Sequence, residues 1–393
     1  MQSLGTVSKQ AFKTVPLHNV QITDGKNVSE KLAAFLASDA VLYAEPNYRM
    51  NISTNIPNDP RYGDLWGMDI ISAPEAWDVE TGDPNIVVAS IDTGVEYTHE
   101  DLAANMWVNP GEIAGNGVDD DGNGFVDDVH GYDFVNDDGD PMDDHSHGSH
   151  TCGTMGGVGN NGVGVAGVNW QVKFMALKSF DASGGGDTAD SIRCFEYALQ
   201  MGAKVSNNSW GGYGFSQALY DVIAAAEAQG HLVIASAGND SNDNDTNPAY
   251  PASYDLPNII SVAATDSADN LAGFSNFGQT AVDLGAPGVG IVSCMIGNGY
   301  GPMDGTSMAG PHVAGAAALL WASEPGLSYA AVKQRILDTA DPVAALAGRC
   351  VTGARLNLAA MIGGGGGPGP VPPGPGPRPP RPAANAWYSF DDG

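Results

Sequence analysis

The stretch Gly305-Thr306-Ser307-Met308-Ala309-Gly310-Pro311-His312 constrains this chain more than any other segment. It sets a hydroxyl on a small-residue turn, and the apolar run that follows, as far as Trp321, reads as a helix. Ala309, Gly310, Ala314 and Gly315 leave no bulk on that helix, so its neighbours can approach closely and the fold must bury it. A serine at a helix start has two uses. Its oxygen can accept a backbone N–H as an N-cap. It can also be a nucleophile in the positive field of the helix N-terminus, with N–H groups placed for an oxyanion. Taken alone, the stretch leaves both open.

Two upstream segments favour the second use. Ile86-Val87-Val88-Ala89-Ser90-Ile91-Asp92-Thr93-Gly94 is an apolar, β-branched run that reads as a buried parallel strand ending in a carboxylate. Such a group is costly there unless it is hydrogen-bonded or paired. Asp144-His145-Ser146-His147-Gly148-Ser149-His150-Thr151-Cys152-Gly153 places three histidines in six residues before a small-residue run suited to a close-packed helix. An imidazole oriented by a carboxylate and reaching a serine oxygen completes a nucleophile–base–orienter set. A zinc site from His145, His147 and His150 is the rival use, but no helical His-Glu-x-x-His pattern accompanies it.

Further strands are expected at residues 172–177, 203–207, 232–235 and 259–263, and helices at 187–201, 215–229, 307–321 and 329–339. Apolar strands separated by helices of this length imply a mostly parallel sheet with helices on both faces. Ligands then bind beyond the carboxyl ends of the strands, where Asp92 and Asn239 both fall.

Three blocks in this order, Ser90-Ile91-Asp92-Thr93-Gly94, His147-Gly148-Ser149-His150 and Gly305-Thr306-Ser307-Met308-Ala309, resemble the subtilisin-like serine proteases. The resemblance spans residues 58–362 and implies the three-layer subtilisin-like α/β fold. By it, Asp92 orients, His147 is general base and acid, and Ser307 is the nucleophile. Ala235-Ser236-Ala237-Gly238-Asn239 resembles the oxyanion segment, making Asn239 a donor beside the Ser307 N–H. The resemblance also implies one cleft wall at Ser209, Trp210 and Gly211, another at Ser236, Ala237 and Gly238, and a pocket floor at Ala249. Small residues there leave room for large apolar side chains on the acyl side of the scissile bond, while Asp240 and Asp243 at the rim offer attraction to basic ones. His99, His150 and His312 are expected to be structural, with Pro311 in the first turn of the Ser307 helix. An α/β-hydrolase esterase would need Gly-x-Ser-x-Gly and the order Ser…Asp…His, and neither is present. A catalytically dead binding module would lack a triad member.

Asp119-Asp120-Asp121-Gly122-Asn123-Gly124-Phe125-Val126-Asp127-Asp128 alternates acidic and amide oxygens as a hard cation requires. It departs from an EF-hand because His130 stands where a bidentate Glu belongs. Similar loops bind calcium in subtilases. The side-chain ligands expected are Asp119, Asp121, Asn123 and Asp128, joined by the Phe125 carbonyl. A second calcium site is implied by Asp101, Asn161 in the loop 158–165, and Asp59.

Residues 1–50 read as strand, helix and strand, a small α+β segment resembling a partial propeptide that would inhibit its own protease. Maturation is then expected between Tyr48 and Asp59. Residues 363–382 are 17 of 20 Gly or Pro, so 363–385 reads as a linker, and 386–393 as the start of a truncated module or a tail. Sixteen Lys+Arg against 46 Asp+Glu, a formal charge of −30, make nucleic acid and anionic membranes poor partners. No apolar run has membrane-spanning length. The expected partners are protein or peptide substrates, acted on by a monomer. Residues 1–8 carry no apolar signal-peptide core, so secretion is an expectation from the resemblance. Four cysteines allow three full pairings, and buried free thiols fit the sequence equally well.

Overall fold

The structure, a computed structural model, describes residues 6–11, 17–26, 28–38, 41–47, 55–363 and 386–391. The chain divides into two units, residues 1–53 with 368–393, and residues 54–367.

The first unit has β1 (Thr6–Ala11), β2 (Leu17–Ile22), α1 (Val28–Leu36) and β3 (Val41–Asn47). Val20, Leu32 and Phe35 form its small core. β1 was not expected from the sequence. The segment expected to begin a further module, Ala386–Asp391, is a strand hydrogen-bonded in parallel between β2 and β3. Tyr48 and the linker 364–385 lie outside the described residues.

The second unit begins with short helices α2 (Trp66–Ile70) and α3 (Ala73–Trp77). It continues through β4 (Val87–Asp92), β5 (Gly131–Asp133), α4 (His147–Gly156), β6 (Lys173–Lys178), α5 (Thr188–Gln200), β7 (Val205–Asn208), α6 (Gln217–Ala228), β8 (Leu232–Ser236), β9 (Ile259–Thr265) and β10 (Leu284–Pro287). The hairpin β11 (Ile291–Met295) and β12 (Gly299–Met303) precedes α7 (Thr306–Ser323), α8 (Tyr329–Asp338), β13 (Asp341–Pro342), β14 (Ala354–Arg355) and α9 (Leu358–Ile362). The C-terminal strand of the first unit is β15 (Ala386–Asp391).

The large sheet runs β13-β14-β10-β9-β8-β7-β4-β6-β5, parallel except at β13–β14. Successive residues of a strand point to opposite faces. On β6, Phe174 and Ala176 join one core cluster, while Met175 and Leu177 join the other. On β8, Leu232 and Ile234 alternate in the same way with Val233 and Ala235. α7, packed in the first cluster, is buried from Thr306 to Trp321 except at Ser307. The amphipathic α5 and α6 cover the opposite face with Phe195, Tyr197, Leu219 and Ile223. Side chains of the Val or Leu class contribute about 1.5–3 kcal/mol each when fully buried. Ser216 and Ser328 cap α6 and α8 by accepting the Leu219 and Ala331 N–H groups.

From β4 the chain goes to β5 and then β6 on one side, and later returns to β7 on the other. The winding therefore reverses beside β4, and the crevice beyond these strand ends is where a site forms. The β11–β12 hairpin was not expected from sequence, although Gly297-Asn298-Gly299 at its turn is a usable signal.

Candidate active site

Each expected catalytic side chain stands at an element end. Asp92 closes β4, is only 2% exposed and accepts the Thr93 N–H at 2.7 Å. His147 opens α4, and its Nδ1 lies 2.6 Å from Asp92 Oδ1. Burial pulls the His147 pKa down, but Asp92, by charge and hydrogen bond, and the Asp143 carboxylate together raise it above its ordinary value. Ser146, just before it, sits in the left-handed region at φ 84°. Asp143 holds that turn by accepting the N–H groups of His145, Ser146 and Ser149.

Ser307 is the second residue of α7, and Gly305 is the N-cap, so the capping use of Ser307 is not the one realised. Its hydroxyl donates to the Ser209 carbonyl at 3.1 Å, and the Ser209 hydroxyl donates to the Ser307 carbonyl at 2.9 Å. Pro311 explains the second bond. It lies inside the helix rather than in the first turn, because α7 starts at Thr306. Having no N–H, it leaves the Ser307 carbonyl without its partner four residues on, and Ser209 takes that place.

The segment from Ser236 to Asn239 is tied to the same helix start. The Ser236 hydroxyl donates to the Thr306 carbonyl, the Gly238 N–H to the Thr306 hydroxyl, and the Thr306 N–H and hydroxyl to Asn239 Oδ1. With Oδ1 committed, Asn239 presents Nδ2. A Cβ built on Gly305 would lie 3.6 Å from that nitrogen and 3.4 Å from the Ser307 N, so both donors border one small space that glycine leaves open.

Ala237 and Gly238 are held by buried Asn276, which donates to the Ala237 carbonyl and accepts the Asp240 N–H; its own backbone N–H donates to the Gly238 carbonyl. Gly212 and Tyr250 exchange backbone hydrogen bonds, tying the segment after Gly211 to the one that carries Ala249, which is 6% exposed. Asp243 turns into its own loop, accepting the Asp245 N–H.

His99, His150 and His312 are buried. Nitrogens of His99, His150 and His312 meet the carbonyls of Gly299, Ile291 and Met308. His145 is exposed. Among the described residues these histidines do not form a metal-ligand group. All four cysteines are free and buried, and burial raises each thiol pKa.

The acidic loop differs in detail from expectation. Asp119 and Asp121 group with Glu112, their ligand atoms lying within 4.8 Å of one another. Glu112 Oε2 is buried without a hydrogen bond. Asn123 Oδ1 accepts the Phe125 N–H, while its amide nitrogen donates to Asp121 and Asp128. Asp128 is fully buried and also accepts bonds from Asn109 and Tyr197. Glu112 was missed because it precedes the alternating run by seven residues. Asp59, Asp101 and Asn161 do converge. Asn161 Nδ2 donates to Asp101 at 2.8 Å, and the Asn160 and Asn161 N–H groups donate to Asp59. Burial, with Asp59 and Glu100 nearby, pushes Asp101 up to about 6 despite bonds from Val165 and Asn161.

Comparison with known proteins places this arrangement in context. The Peptidase S8 description, the subtilase family, matches residues 83–365. The chain is 39% identical over 318 residues to the thermophilic serine proteinase of a Bacillus species, covering 81% of this chain and 72% of that one. It is 37% identical over 288 residues to thermitase of Thermoactinomyces vulgaris, covering 73% and 92%. With the halolysin-like extracellular serine protease of Natrialba magadii it shares 34% over 308 residues, 78% of this chain and 52% of the other. Among solved structures, a protease from Pseudoalteromonas arctica aligns with a TM-score of 0.66 at 28% identity, covering 79% of this chain and 99% of that one.

Proposed function

The chain belongs to the subtilase family of serine-type endopeptidases, and from that premise we propose that Ser307, His147 and Asp92 carry its peptide-bond hydrolysis. His147 Nε2 takes the Ser307 proton as the oxygen attacks the peptide carbonyl. Asp92, bonded to Nδ1, fixes the tautomer and stabilises the imidazolium that forms. Asn239 Nδ2 and the Ser307 N–H receive the oxyanion. His147 then protonates the leaving amine, and water releases the acyl group by the reverse path. The observation that carries this reading is the 2.6 Å contact between His147 Nδ1 and buried Asp92 at the strand end facing the start of α7. The Ser307 hydroxyl, bonded to the Ser209 carbonyl in this structure, would have to leave that bond to pass its proton to His147.

Segments 209–212 and 236–238 are the walls of the cleft, with Ala249 at the floor of the pocket for the acyl-side residue. Its small lining supports a preference for large apolar side chains. Calcium is the expected stabilising ion. Asp59, Asp101 and Asn161 fit one site, since two buried carboxylates raise each other's cost there. Glu112, Asp119 and Asp121 fit a second, where Glu112 keeps an unused buried oxygen. Bound calcium would neutralise these carboxylates and pin their loops. Extracellular action, residues 1–50 as a propeptide-like inhibitor and a monomeric enzyme complete the proposal. The test is fluorophosphonate labelling of the wild type beside Ser307→Ala, with and without a chelator. Labelling of the wild type alone is expected, and equal labelling of both would remove the nucleophile assignment.

A further inference from the structure

The two walls of the cleft are joined at the start of α7 through Ser209, Ser236, Gly238 and Asn239. They are joined a second time by side chains. Tyr213, beyond Gly211 and Gly212 on one wall, donates its hydroxyl to Asp240 Oδ2 on the other at 2.6 Å. Asn276, the buried anchor of the Asp240 wall, donates to the same phenol oxygen at 3.4 Å. Bonds from Ser307 through Ser209 and the chain to Tyr213, then to Asp240, Asn239 and Thr306, form one closed circuit that links the two segments. Tyr213 is 43% exposed, so its ring lies at the surface and not in the core.

A phenol bonded to a carboxylate satisfies part of that carboxylate's demand for donors. A cationic substrate side chain seeking Asp240 must then displace Tyr213, whereas an apolar one gives nothing that competes. We propose that Tyr213 is a specificity latch: by occupying Asp240 it biases the pocket against lysine and arginine, and its release admits them. This rests on the reading of 209–212 and 236–238 as pocket walls, and it assigns selection to a residue outside those walls.

The test measures kcat/KM on peptide anilides differing only in the acyl-side residue, Leu, Phe, Lys or Arg, for wild type, Tyr213→Phe, Asp240→Asn, the double variant and Ala249→Val. Melting curves confirm that each variant is folded. Tyr213→Phe should raise the Arg/Leu and Lys/Leu ratios about three- to tenfold, the worth of one hydrogen bond to a charged group at a partly exposed site. That gain should vanish when Asp240→Asn is also present. A Tyr213→Phe ratio within twofold of wild type, or a gain that persists without the Asp240 charge, overturns the latch. Ala249→Val separates the two readings. If it lowers the Phe rate while Tyr213→Phe changes nothing, only the latch fails. If it leaves the profile unchanged, the pocket assignment fails and the latch with it.

Discussion

Thr93 donates its hydroxyl to Asp143 at 2.9 Å, while its backbone N–H serves Asp92. One residue thus ties the carboxylate facing His147 to the carboxylate that organises the turn before it. Gly148, next after His147, donates its N–H to the same Thr93 hydroxyl. Asp143 also binds the Ser149 hydroxyl and supports Ser146 in its left-handed conformation, a state that persists only when its surroundings over-determine it.

Asp143→Asn should therefore act on His147 in two ways. Removing the charge lowers the His147 pKa, since Asp143 is one of the causes raising it. The base must be neutral, so the acid limb of the kcat/KM profile moves to lower pH. Looser positioning lowers the maximal kcat/KM by about 10- to 100-fold. A profile scaled down without moving its limb would reduce Asp143 to a purely structural part.

Asn239 makes a separate prediction. Its Oδ1 is fixed by Thr306, so Asn239→Ala removes a donor aimed at charge that exists only in the transition state. kcat should fall by about 10²–10³-fold, the cost known for one such donor in subtilisin itself, with KM little changed. Steady-state kinetics decide it; a rise in KM at constant kcat would mean that Asn239 binds substrate instead.

Three buried histidines work against stability in acid. Burial lowers His150, His231 and His312 to about 4 each, outweighing their carbonyl bonds. Unfolded, each titrates near 6.5, so the unfolded state binds more protons between pH 6.5 and 4. Stability is full above that window and is lost as pH falls through it, by about 3 kcal/mol for each histidine. Urea midpoints between pH 7 and 4 should show the decline. His231→Gln, remote from Ser307, should flatten it by about one proton's worth. An unchanged slope would assign acid sensitivity elsewhere.

What the sequence disclosed follows from how locally each feature is encoded. β4 and α7 were legible because a continuous apolar run and a small-residue helix each declare their own burial. The Asp92–His147 contact was expected from the family resemblance of the blocks at 90–94 and 147–150, and it joins a strand end to a helix start. The Ser209–Ser307 exchange was not legible, because it links residues 98 apart and depends on a proline freeing a carbonyl. Glu112 and Tyr213 were missed for a similar reason. Each meets its partners through loop geometry, and neither completes a pattern of its own. The place of Ala386–Asp391 inside the first unit's sheet also lay beyond reach, since a lone strand does not name its neighbours.

Calcium should bind where carboxylates are buried without cationic partners. Asp101 is fully buried and Asp59 is 4% exposed, and among the described residues neither has a lysine or arginine bonded to it. Their only compensation is N–H donors, which leaves two charges repelling across a small space. A cation that binds the native state alone adds RT ln(1 + [L]/Kd), about 2.7 kcal/mol at a hundredfold excess over Kd. Scanning calorimetry with saturating calcium and then with chelator should therefore show a lower Tm without the ion. Asp101→Asn should remove one increment and Glu112→Gln another, because the two groups involve different loops and their effects should add. If calcium raises the Tm of Asp101→Asn and Glu112→Gln as much as that of wild type, neither group holds the ion. If one variant alone loses its increment, calcium sits only at that group.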